Sequence, residues 1–87
     1  MKIKKGFELK EICGNTVAMP SGEPRADFKA IKLNETAVFL WNFFLSDHDM
    51  DEGIKALISE YDVDEHFAKR GVISFIERLR ANDILDE

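Results

Sequence analysis

The sequence lacks most of what a small enzyme or a metal protein needs. Cys13 is the single cysteine among 87 residues, so neither an internal disulfide nor a cysteine-rich zinc site can form. Its reading is a half-buried strand residue, since free cysteine behaves as a small hydrophobe. No apolar run approaches the roughly 18 residues that a membrane span requires. The start, Met1-Lys2-Ile3-Lys4-Lys5-Gly6, is basic but has no apolar stretch of signal-peptide length behind it. The expectation is therefore a cytoplasmic protein with no membrane partner. Basic excess is missing too: with 12 Lys and Arg against 17 Asp and Glu the net charge is −5. That argues against a general affinity for nucleic-acid backbones, though not against a local basic patch. No internal repeat or low-complexity segment is present.

Catalytic and metal signatures fail one by one. Ser21, Ser46, Ser59, Ser74 and Cys13 sit in no nucleophile-elbow sequence, and no glycine-rich loop is set to cradle a phosphate. Carboxylate pairs are abundant, but among seventeen acidic residues they arise by chance. The acidic run Asp47-His48-Asp49-Met50-Asp51-Glu52-Gly53 invites a calcium test. An EF-hand loop needs Gly at its sixth position and Glu at its twelfth; counted from Asp47 these are Glu52 and Ile58. A solvated helix–helix connection explains the run. His48 and His66 fall on different elements, and neither has a second histidine or a cysteine at ligand spacing. The reading is a protein without cofactor or metal, and not an enzyme.

What is present is 45% hydrophobic and 33% charged, the balance of a soluble globular domain, and the length suits one domain spanning residues 1–87. The two halves differ in periodicity. Phe7 and Leu9 alternate with Glu8 and Lys10, Gly14-Asn15 is turn chemistry, and Thr16 to Met19 reads as the return strand of a hairpin. Pro20 to Pro24 is a loop. A third strand, Phe28 to Leu33, alternates again, with Ile31 and Leu33 on one face.

The rest is helical. Asn34 is the N-cap of a helix that holds Ala37, Leu40, Trp41 and Phe44. Asp49 with Glu52 forms a capping box for a second helix, whose inward stripe is Ile54, Leu57, Ile58 and Tyr61. A third helix begins near Asp62-Val63-Asp64-Glu65 and continues to about Asn82, with Phe67, Ala68, Val72, Phe75, Ile76 and Leu79 as its apolar stripe. Ile73 sits off that stripe, and Ile84-Leu85 folds back as a tail. Three antiparallel strands followed by three helices is an α+β, winged helix-turn-helix-like order. The competing function for that order is a DNA-binding regulator. Its recognition helix here mixes Lys69, Arg70, Arg78 and Arg80 with Glu65, Glu77 and Asp83, which leaves no basic footprint.

In order along the chain, Gly6-Phe7-Glu8-Leu9-Lys10-Glu11, Leu33-Asn34-Glu35-Thr36-Ala37 leading to Leu40-Trp41, Tyr61-Asp62-Val63-Asp64 and the closing Val72, Phe75, Ile76, Leu79 and Ile84-Leu85 resemble the PqqD family. These are peptide chaperones of pyrroloquinoline quinone (PQQ) biosynthesis and of related pathways that modify ribosomally made peptides (RiPPs). Two departures stand out: Ser46 to Asp49 where members often carry a Gly, and Ile73 where a polar residue is more usual.

The resemblance implies a RiPP recognition element. Such a domain binds the leader of a precursor peptide as an extra strand on the third strand, in a cleft against the third helix, and presents it to a radical-SAM or other modifying enzyme. Strand addition is physically sound, because an edge strand offers unpaired backbone groups and alternate side chains supply specificity. Carried onto this chain, the peptide-binding residues are Phe28, Lys29, Ala30, Ile31, Lys32 and Leu33. Across the cleft they are Arg70, Ile73, Glu77 and Arg80. Val72, Phe75, Ile76 and Leu79 fall to the core, with Ile76 also kept as a groove candidate. An exposed edge leaves a homodimer open.

Overall fold

The computed structural model of the chain describes residues 1–22, 28 and 30–87. Its elements run β1 (Lys2–Ile3), β2 (Phe7–Ile12), β3 (Asn15–Pro20), β4 (Ile31–Leu33), α1 (Glu35–Phe43), α2 (Met50–Tyr61), α3 (Glu65–Ala81) and β5 (Leu85–Asp86). β2, β3 and β4 form an antiparallel sheet in that order, and β1 pairs with β5. The mixed α+β order expected from periodicity is the order found.

Each helix starts where a short polar side chain can satisfy an orphan N–H. Asn34 Oδ1 accepts from Ala37 N at 2.9 Å and Asp64 Oδ1 from Phe67 N at 2.7 Å. Asp49 and Glu52 close a reciprocal capping box at 2.8 and 2.9 Å. α3 begins within the expected stretch: Asp62, at φ 51°, is the left-handed cap that ends α2, and Asp64 two residues on caps α3. At the other end Asn82 caps α3, its Nδ2 donating to Arg78 O at 2.8 Å.

The hairpin corrects one expectation. Ile12 pairs with Asn15, so the two central residues are Cys13 and Gly14, at φ 51° and 81°, not Gly14 and Asn15. Two positive φ values match the right-handed twist of the strands in a two-residue turn. Cys13 is therefore an exposed turn residue and not a half-buried strand residue. β3 also runs one residue further than expected, through Pro20, which pairs with Phe7. The third strand is shorter than expected: only Ile31–Leu33 pairs with β3. Phe28 and Ala30 lie outside it, and Lys29 lies outside the described residues.

The sheet of β1 and β5 has no counterpart in the sequence reading beyond the tail at Ile84-Leu85. Ile3 N donates to Phe44 O at 2.9 Å and Lys4 N to Ile84 O at 2.8 Å, so the two chain ends are tied to each other and to the end of α1. Ile3, Ile84 and Leu85 are buried there.

The core lies between the helices and the inner face of β3 and β4. Phe44, Leu40, Leu57, Ile76, Leu79 and Ile84 are almost wholly buried, each such side chain contributing about 1.5–3 kcal/mol of transfer free energy. Gly53 lets α2 approach this core closely: a Cβ there would lie 2.7 Å from Phe44 Cζ. Gly53→Ala gains up to about 1 kcal/mol of helix propensity but overpacks the fully buried ring of Phe44, at roughly 1–3 kcal/mol. The expected outcome is a net loss of about 1–2 kcal/mol, read as a melting temperature several degrees lower.

Candidate functional site

β4 has β3 on one side only, so its other edge is open among the described residues. Ile31 and Leu33 turn their side chains into the core while Lys32 is exposed. Along an antiparallel strand, the N–H and C=O of one residue point to one side and those of the next to the other. Arg78 Nη2 donates to Lys32 O at 2.8 Å from α3, which marks the peptide groups of Lys32 as the outward-facing pair. Those of Ile31 and Leu33 then face β3.

A groove runs along α3 beside this edge. A cavity of about 360 Å3 is lined by Phe67, Arg70, Gly71 and Ser74. A second of about 120 Å3 shares Gly71 and Ser74 and extends past Phe75 to Arg78, against Asn34, Thr36 and Leu40 of the strand-to-helix corner. The wall is one row of α3: Phe67, Gly71, Ser74 and Arg78 recur at four-, three- and four-residue steps. The buried row Ala68, Val72, Phe75 and Leu79 is the same pattern moved by one residue. Phe67 belongs to the exposed row, at 54% exposure, and not to the core stripe.

Gly71 sits in the middle of a 17-residue helix, where it costs about 1 kcal/mol relative to Ala. Packing does not require it, because a Cβ would meet Leu57 Cδ2 at an ordinary 3.7 Å. Gly71→Ala is expected to raise the melting temperature by several degrees, opposite in sign to Gly53→Ala. A thermal scan of both variants checks the pair.

The candidate peptide-binding residues divide as follows. Lys32 is exposed on β4 and Ala30 just ahead of it, and Arg70 lines the larger cavity. Ile31 and Leu33 offer the open edge neither side chain nor backbone, their side chains being in the core and their peptide groups turned to β3. Phe28 is half-buried with its ring 5.7 Å from that of Phe7. Ile76 is fully buried. Ile73 and Arg80 fall on the row one residue beyond the core stripe, the flank away from the groove, with Glu77 between that row and solvent. Arg80 is held there by Glu87, at 2.6 and 3.0 Å, and this bond keeps the Glu87 carboxyl below the ordinary carboxylate range. Phe67, Gly71, Ser74 and Arg78 are not among the peptide-binding residues expected from the sequence. The glycine inside an otherwise good helix was the available signal.

Charge is unevenly distributed around this site. Among the described residues no Asp or Glu lines either cavity, although the chain has 17. Arg70 and Arg78 are in no ion pair among the described residues. No described helix is long and apolar enough to cross a membrane.

The fold is similar to two solved structures. One, described as TbiB1 in complex with the TbiA(beta) leader peptide, superposes with a TM-score of 0.74 at 20% identity, covering 99% of this chain and 95% of that one. The other, a lasso peptide synthetase B1 complexed with the leader peptide, gives a TM-score of 0.71 at 19% identity over 95% and 93% of the two chains. No curated protein matches the sequence. The family profile described as coenzyme PQQ synthesis protein D (PqqD) matches residues 24–85, from ahead of β4 to the last strand. The chain belongs to the PqqD family.

Proposed function

We propose that this protein is a non-catalytic leader-peptide-binding domain spanning residues 1–87. It captures the leader of a ribosomally made precursor as a strand added to β4 and holds it for a separate modifying enzyme. The observation that carries this reading is the edge of β4, open among the described residues, with Arg78 of the α3 groove bonded to Lys32 O upon it. An extended peptide there gains backbone hydrogen bonds at the outward groups of Lys32 and buries side chains against Phe67 and Gly71. Family membership supports it, as do the two structural neighbours, each described with a leader peptide bound.

The partner enzyme is of the radical-SAM class or another peptide-modifying class. It docks away from the groove, and the flank carrying Ile73, Glu77 and Arg80 is available to it. The DNA-binding alternative gains nothing from the structure, since the exposed residues of α3 include Glu65 and Glu77 as well as Lys69 and Arg70.

Calorimetry with the separated leader and core halves of a precursor peptide encoded beside this protein tests the proposal. The leader is expected to bind one to one and the core half not at all. Equal affinity for both halves, or binding by the core alone, sinks it.

A further inference from the structure

We infer that the groove selects an extended peptide bearing two carboxylates four residues apart, read by Arg70 and Arg78. The inference rests on the peptide-binding reading above and adds a rule for which peptides bind. Its basis is charge and spacing. The groove is acid-free among the described residues within an acidic protein, and its two arginines have no acidic partner there. Arg78 spends one donor on Lys32 O, and a guanidinium has five. Its remaining donors are held at the very edge where a strand would add. The other cationic candidate of α3, Arg80, is already consumed by Glu87.

Arg70 and Arg78 are eight residues apart, a rise of about 12 Å along the helix. A strand advances about 3.3 Å per residue, and only alternate side chains face the same way. On the face turned to α3 the available separations are therefore two, four or six residues, roughly 7, 13 and 20 Å. Four matches. The intervening face-directed residue, two from each acid, lies over Gly71 and Ser74, where the lack of bulk leaves room for it. Phe67 lies one turn beyond Arg70 and offers an apolar surface to a residue past the first acid. A carboxylate–arginine pair at this half-open site is worth about a fivefold change in affinity, and it weakens with salt.

The test is selection from a displayed library of random 12-residue peptides on the intact protein, with each enriched peptide mapped by amide shifts of the labelled protein. Enriched peptides that shift Lys32 and residues 67–78 are expected to carry Asp or Glu pairs at a separation of four. For these, Arg70→Gln and Arg78→Gln each lower affinity about fivefold, and Arg78→Lys restores most of it. Changing one peptide acid to its amide should cost nothing further in the matching arginine variant. Groove-binding peptides with no acid pair, or with pairs at another spacing, overturn the inference and leave the peptide reading standing. Enriched peptides that shift only other surfaces, or no enrichment at all, overturn both.

Discussion

Lys32→Pro is expected to eliminate leader binding while leaving the domain folded. The outward N–H of Lys32 is the donor that an added strand must use, as its carbonyl is the acceptor that Arg78 already marks. Proline removes that donor and places its ring at the edge where the peptide backbone would lie. Loss of the hydrogen bond alone costs about 1 kcal/mol, and the steric block raises the loss of affinity to tenfold at least. The sheet survives because proline is tolerated on an edge strand when its missing N–H faces outward. Ile31→Pro is the contrasting control: it removes a donor directed at β3 and pushes a buried side chain off its seat, so it should unfold the protein. A folded Lys32→Pro variant with normal leader affinity, by circular dichroism and calorimetry, contradicts strand addition.

Phe67→Ala is expected to have the second-largest effect, again on binding and hardly on stability. A buried phenylalanine truncated to alanine costs about 3–5 kcal/mol, but Phe67 is 54% exposed at the start of α3. Its removal should cost the free protein no more than about 1 kcal/mol. A covering peptide would bury the remainder of the ring, roughly 100 Å2, at about 25 cal/mol per Å2. After the costs of ordering the peptide, a tenfold or greater loss of affinity is expected. Leader binding unchanged by Phe67→Ala would mean that the peptide does not pass over this part of α3.

The helical half was legible because its signals are local. Asn34, Asp49 with Glu52, and Asn82 fix helix ends within a few residues of chain, and the caps fall where those side chains stand. The hairpin was legible to one residue; the pairing of Ile12 with Asn15, which decides the turn, depends on the twist of both strands. β1 and β5 were not legible, being two residues each at opposite ends of the chain, with a pairing set only by closure of the core.

The site was half legible for a similar reason. The edge strand follows from its order, and of the candidates named on it and across from it Lys32 is exposed on β4 and Arg70 lines the larger cavity. Which flank of α3 faces β4 is another matter. Helical periodicity finds the core stripe, but it does not say whether the row before or the row after it turns toward the sheet. Ile73, Glu77 and Arg80 lie on the one flank, and the structure sets Arg78 of the other on Lys32 O, with Gly71 and Ser74 against Asn34 and Thr36 at the strand-to-helix corner. Phe67 joined the core stripe by its apolar character alone, one residue out of phase with Ala68.

The most direct test of strand addition is the amide spectrum of the labelled protein with the leader peptide, read together with hydrogen exchange in the complex. Shifts are expected at residues 31–33 and 67–78, with slowed exchange of the Lys32 amide as it gains a cross-strand partner. Shifts confined to Ile73, Glu77 and Arg80, with the Lys32 amide exchanging as fast as in the free protein, would contradict it.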